Sequence, residues 1–199
     1  MKIALDFDGV IADFDEKIRQ EINNYYGMDI PITYLFEHDW KRLLGIDEEE
    51  EEKFLQYLFA DISDVEPMPG AIGNIIALQD KGIDFIIATH RKNREEVFFW
   101  LKKHGLEFLI ARSYFMKLGD EMPEVDFFID DSGEKLAKYR KKIRKQAFLM
   151  KSAMNKACLD VFGRIMRVDS WKAFYHYING EINFQIHQGN KLEEERIGK

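Results

Sequence analysis

Two pairs of carboxylates close two apolar runs: Asp6 and Asp8 in IALDFDGVIADF, residues 3–14, and Asp130 with Asp131 in VDFFIDD, residues 125–131. Acids gathered in one place repel each other and any anion, so they imply a hard divalent cation with oxygen ligands, such as magnesium. Free of such a duty, Asp8-Gly9 between apolar runs is the strongest short-range signal for a two-residue β-hairpin. A hairpin would set Ile3 to Phe7 against Val10 to Phe14, yet the partner strand would continue into DEKIRQEINNYY, whose apolar spacing is helical. The elements that carry the acids decide between the two readings.

From Ile72 onward two patterns alternate. AIGNIIALQDKG has helical spacing and closes at Gly82, and IDFIIA is a continuous apolar run ending at Thr89. KNREEVFFWLKKHG predicts a helix closed by Gly105, LEFLIA a short strand, and VDFFID a buried strand ending at Asp130. EKLAKYRKKIRK predicts a basic helix, AFLM and GRIMRV two more strands, and SWKAFYHYI a closing helix with Ser170 as N-cap. Strands apolar on both faces and bounded by helices predict an α/β fold, a Rossmann-like doubly wound parallel sheet. Ligands bind such sheets beyond the carboxyl ends of the strands. Asp6 to Asp8, Thr89 and Asp130 to Asp131 all fall at such ends and can share one edge, which favours the sheet over the hairpin.

Residues 15–66 break the alternation. DEKIRQEINNYYG closes a helix at Gly27, and IDEEEEEKFLQYLFADI opens another with acids suited to its N-terminus. Between them PITYLFEHDWKRLLG is aromatic-rich and fits no single pattern. The chain returns through VEPMPGA, where Pro67 and Pro69 mark a rigid re-entry. The expected organisation is a core of residues 1–14 and 67–180, a small inserted helical cap at 15–66, and a C-terminal tail at 181–199 in which INFQI is a candidate edge strand. The segment from Lys135 to Lys145 reads as a solvated basic face with Leu136, Tyr139 and Ile143 inward. Arg91 and Arg94 sit at a helix start, where they could touch a ligand or face solvent.

At 199 residues with 46% hydrophobic and 33% charged, the chain suits one core with a small appended module. Its net charge of -7 argues against binding a nucleic-acid polymer. The single cysteine, Cys158, excludes an internal disulfide and fits a reducing compartment. No uncharged apolar run approaches the roughly 20 residues of a membrane helix, so a cytoplasmic address is expected.

DFDGV after a short strand, IIATHR, a later lysine and FFIDDS together resemble the haloacid dehalogenase superfamily of phosphotransferases. DFDGVIADF, VEPMPGA, VDFFIDD and RVDSWKAF are similar, more closely, to the 5′(3′)-deoxyribonucleotidases. The resemblance implies that Asp6 is a nucleophile forming an aspartyl phosphate. It implies that Asp8 protonates the leaving oxygen and later takes a proton from water, while its backbone carbonyl is a metal ligand. Thr89 and the N–H of His90 would bind a phosphoryl oxygen, and a lysine, for which Lys117 is the candidate, would neutralise charge. Mg2+ would be held by Asp6, Asp8, Asp130 and Asp131, with Asp131 as the direct ligand of the second pair. The function implied is a Mg2+-dependent phosphomonoester hydrolase, a 5′-nucleotidase acting on (deoxy)ribonucleoside monophosphates, and a homodimer is compatible with it. Two alternatives stand beside it: a phosphatase of a sugar phosphate or other small ester, and a non-catalytic phosphate-binding regulatory module. The aromatics Phe14, Tyr25, Tyr26, Tyr34, Phe36 and Trp40 of the cap either stack on a substrate base or form the cap's own core, with Phe14 and Trp40 the first choices for stacking.

Overall fold

Ile3, Ala4 and Leu5 are each fully buried, which a strand achieves only with cover on both faces. The computed structural model describes residues 1–31, 34, 42, 44–116, 122–152, 155 and 165–197, with side chains to residue 188. In it β1 (Lys2–Leu5) runs parallel between β2 (Asp84–Thr89) and β4 (Val125–Asp130). With β3 (Ser113–Phe115), β5 (Ile143–Met150) and β6 (Ile165–Val168) the order is β3-β2-β1-β4-β5-β6, every pair parallel.

Alternate strand residues serve opposite faces. Ile3, Leu5, Phe85, Ile87, Phe127 and Ile129 pack against α3 (Ala71–Gln79), α4 (Arg94–Lys103) and α6 (Trp171–Ile197) through Ile75, Leu78, Trp100, Trp171 and Phe174. Ala4, Ile86, Ala88, Phe128 and Leu149 pack with Leu136 of α5 (Gly133–Lys138) and Tyr139 on the other side. The sheet is therefore covered on both faces, as its apolar runs require.

Asp8-Gly9 is no hairpin. Gly9 has φ +70°, and both Ile11 N and Ala12 N donate back to Phe7 O at 3.0 and 2.9 Å, closing a tight turn beyond β1. The outgoing chain then lies beside the returning one: Asp13 N donates to Glu66 O and Met68 N to Ile11 O, both at 2.8 Å. Between these points stand α1 (Phe14–Tyr26), ended by Gly27 at φ 62°, and α2 (Glu48–Leu58), capped by Asp47, whose side chain accepts from Glu50 N. Ile18, Ile22, Phe54 and Leu58 form a separate hydrophobic cluster there. Lys17 Nζ binds Glu21 Oε1 at 2.6 Å and Asp64 Oδ2 at 2.7 Å, tying α1 to the returning segment.

Three elements differ from the sequence reading. LEFLIA is not a strand: Glu107–Arg112 form a 3-10 turn that buries Leu106 and Leu109 at an i, i+3 spacing, and β3 follows it to pair with Ile87–Thr89. The basic helix ends at Lys138, because Ile143 onward is already β5. INFQI is helical, since α6 runs on through Gly180 to Ile197, and Phe184 and Ile186 on it are exposed. Ser170 does cap that helix, its Oγ accepting from Ala173 N. Cys158 lies outside the described residues. Among the described residues no helix is long and apolar enough to cross a membrane.

Candidate active site

Asp6 is the first residue beyond β1 and Asp130 the last of β4. The register Leu5↔Ile129 makes them neighbours, and Asp6 N donates to Ile129 O at 3.0 Å. Both are buried, with 1% and 0% exposure. One oxygen from each of Asp6, Asp130 and Asp131 can be chosen so that all lie within 4.8 Å of one another. Asp130 Oδ1 accepts from Ser132 N at 2.8 Å, whereas its buried Oδ2 has no hydrogen-bond partner among the described residues. Asp131 lies against Gly9: a Cβ at residue 9 would come within 2.8 Å of Asp131 Cγ, and the positive φ disfavours a side chain there in any case.

The charge that answers these acids is Lys135. Its Nζ lies 2.9 Å from Asp6 Oδ2 and 3.7 Å from Asp130 Oδ2. Ser132 caps α5, its side chain accepting from Lys135 N, so residue 135 stands in the first turn, where side chains lean toward the helix N-terminus and the strand ends below it. Burial opposes the ammonium, but Asp6 and Asp130 outweigh it and push Lys135 above the ordinary lysine range. In the acids the balance is reversed. Burial, reinforced by the charge of Asp6, raises Asp130 well above a normal carboxylate and Asp131 to about 7. Three crowded carboxylates, one oxygen without a donor and one lysine among them fit a hard divalent cation, which would relieve their repulsion.

Asp8 faces the other way. Both of its carboxylate oxygens accept from Arg91 Nε at 2.9 Å, and burial raises its pKa against the opposing pull of Arg91. Thr89, on the adjacent strand, is 1% exposed, and its Oγ1 accepts from Arg91 N at 3.2 Å. His90 Nε2 lies 3.4 Å from Tyr139 OH, and burial lowers its pKa. Thr89 and His90 thus stand at the same edge without lining the cavity over the acids. Lys117 lies outside the described residues.

That cavity, about 720 Å³, has Asp6, Asp8, Asp131, Lys135 and Asn155 on the sheet side and Phe14, Ile18, Leu55, Leu58 and Phe59 on the cap side. Asn155 joins the ends of two strands, its Nδ2 donating to Asp131 O at 2.8 Å and Met150 O at 2.7 Å. Of the cap aromatics, Phe14 lines the cavity, whereas Tyr25 and Tyr26 pack with Phe54 in the cap's own cluster. Tyr34 is exposed, and Phe36 and Trp40 lie outside the described residues.

Sequence reasoning missed Lys135, Asn155 and Phe59, and left Arg91 undecided. The signal for Lys135 was present in IDDSGEK: a serine N-cap directly after the acidic pair fixes which residue of the first turn points back at it. Nothing comparable marks Asn155, whose contacts come from a loop 24 residues away from Asp131.

The chain matches the family model described as "5' nucleotidase, deoxy (Pyrimidine), cytosolic type C protein" over residues 1–183. No curated protein matches it significantly. Among solved structures it is similar to a predicted phosphatase from Clostridium acetobutylicum, with TM-score 0.62, 15% identity and coverage of 90% of this chain and 98% of that one. A HAD family hydrolase from Deinococcus radiodurans R1 with bound phosphate and sodium gives TM-score 0.62 at 15% identity, covering 86% and 91%. A predicted phosphoglycolate phosphatase from Haemophilus somnus gives 0.56 at 12%, covering 88% and 96%. At these identities the structural likeness speaks for the fold.

Proposed function

The chain belongs to the family of cytosolic type C 5′-nucleotidases, phosphatases of the haloacid dehalogenase superfamily, and from that premise we propose that it hydrolyses nucleoside monophosphates through a phosphoaspartate on Asp6. The observation that carries the reading is the pair of buried Asp6 and part-buried Lys135 at 2.9 Å on the floor of a cavity roofed by apolar cap residues.

An Asp6 oxygen attacks phosphorus in line with the ester oxygen. As the new P–O bond forms the ester P–O bond breaks, and Asp8 gives its proton to the departing oxygen. Water then attacks phosphorus, its proton passes to Asp8, and the bond to Asp6 breaks to release inorganic phosphate. Lys135 holds Asp6 oriented and offsets charge on the phosphoryl group. Thr89 Oγ1 and the N–H of His90 are assigned to a phosphoryl oxygen. Lys135 fills the lysine role for which the sequence offered Lys117. Mg2+ bound by Asp6, Asp131 and the Asp8 carbonyl, with Asp130 behind them, would supply positive charge against the phosphate oxygens. Phe14 and Phe59 line the cap side of the cavity, and this reading gives them the nucleoside.

This reading takes residues 15–66 as a cap unit on a core of 1–14 and 67–180, with 181–197 continuing the last helix, and it carries a cytoplasmic address. A panel of ribo- and deoxyribonucleoside monophosphates against sugar phosphates tests the substrate: kcat/KM should be at least about tenfold higher for a nucleotide, the scale of discrimination one good apolar contact supplies. Equal values across the panel would leave a general small-ester phosphatase.

A further inference from the structure

Among the described residues, Arg91 is a cation with a buried side chain at this edge to which the reaction above gives no part. Its side chain is 7% exposed. Its guanidinium carbon lies 4.2 Å from the ring centre of Phe14, 5.4 Å from that of Phe59 and 5.7 Å from that of Phe7. Nη2 is buried without a hydrogen-bond partner among the described residues. A guanidinium in such a place is costly unless its charge is met, and here it is met by aromatic faces and by one carboxylate, Asp8. The dependence runs both ways. Asp8 stands in a turn just before Gly9, and among the described residues Arg91 is the sole hydrogen-bond partner of its side chain.

We propose that Arg91 is the positioning residue of Asp8, an inference that rests on the acid/base reading of Asp8. Arg91 does not touch the substrate. It fixes where the Asp8 carboxyl group points, and it lies where negative charge appears on that group when its proton moves to the departing ester oxygen. In the second half of the reaction it holds the resulting carboxylate toward the water that surrenders a proton to it. Phe14 opens α1 and Phe59 closes α2. The aromatic clamp on Arg91 therefore comes from the two ends of the cap helices, and the seating of the cap reaches the acid/base group through this one side chain.

The test uses single turnovers, with enzyme in excess and Mg2+ present, on two esters. A nucleoside monophosphate leaves as an alkoxide that needs a proton; p-nitrophenyl phosphate leaves as a phenolate that does not. Asp8→Asn should slow ester cleavage of the nucleotide by roughly 10²-fold or more and that of the aryl ester far less. If Asp8→Asn shows no such preference, the acid/base reading fails and this proposal falls with it. Given that preference, Arg91→Met should slow the nucleotide by roughly tenfold and the aryl ester by less than about threefold, a part of the general-acid effect. It should add nothing in the Asp8→Asn background, as expected for groups that act as a unit. Arg91→Lys, which keeps charge and volume if the methionine variant does not fold, should fall between wild type and that pattern. An equal loss on both esters, a full additional loss in the double variant, or a rise in KM at unchanged rate would overturn the proposal while leaving the role of Asp8 standing.

Discussion

The floor of the cavity and its roof are held by different means. On the floor, Asp6 and Asp130 are fixed by the pairing of two largely buried central strands, and any shift of either acid would break the register of the sheet. Among the described residues the roof is two helices on a cluster of four buried residues, Ile18, Ile22, Phe54 and Leu58, joined to the core by the chain's exit at 11–13 and its return at 66–68. The ion triad Lys17, Glu21 and Asp64 reinforces that joint. The difference suits the proposed division of labour: the acids are held by strand pairing, and the cap side of the cavity rests on a smaller cluster of its own.

Substitutions on each side should therefore fail differently. The largest effect is expected from Asp6→Asn, which should cut turnover by roughly 10⁴-fold or more while thermal unfolding remains cooperative, since the amide keeps the size of the side chain. Survival of substantial activity would move the nucleophile elsewhere. Lys135→Met comes next, at roughly 10²–10³-fold in kcat, the loss typical of one preorganised charge-stabilising donor. Its effect should be alike for nucleotide and aryl esters, because it serves the phosphoryl end. A third probe is pH: with Asp131 at about 7 in the metal-free protein, its proton must leave before the carboxylate can bind a cation. Mg2+ affinity by calorimetry should accordingly rise as pH goes from 6 to 8, by up to about tenfold per unit below the pKa. A flat profile would remove Asp131 from the ligand set. The smallest effect on chemistry is expected from Phe54→Ala. It should cost about 3–5 kcal/mol of local stability and raise KM for the nucleotide, yet leave kcat for a small aryl phosphate within about twofold of wild type. An equal loss on both substrates would mean that cap and sheet are one cooperative unit.

The floor was the more legible region. Continuous apolar runs ending in acids specify buried parallel strands, and the helix stops at Gly27, Gly82 and Gly105 are local signals that the chain obeys, each with positive φ. What escaped were features set by direction or by distant partners. By its basic neighbours Lys135 belongs to a solvated face, whereas its orientation follows from the Ser132 cap. Arg91 could not be placed because its partners Asp8, Phe14 and Phe59 come from three separate segments. LEFLIA misled because Leu106 and Leu109 satisfy both a short strand and a tight helical turn, and INFQI because an apolar alternation at a helix end looks the same whether or not a sheet edge awaits it.

The chain has three tryptophans, and two of them make buried hydrogen bonds of unlike meaning. Trp171 Nε1 donates to Val10 O at 2.6 Å, in the turn that carries Asp8, and Trp100 Nε1 donates to Val65 O at 2.7 Å, on the segment that returns from the cap. Indole emission responds to the strength of exactly such a bond and to the polarity around the ring. The molecule thus carries two native optical channels, one on the reacting turn and one on the cap's return path. In a Trp40→Phe background, single-tryptophan versions would let phosphate binding and cap movement be timed separately in the same stopped-flow cell.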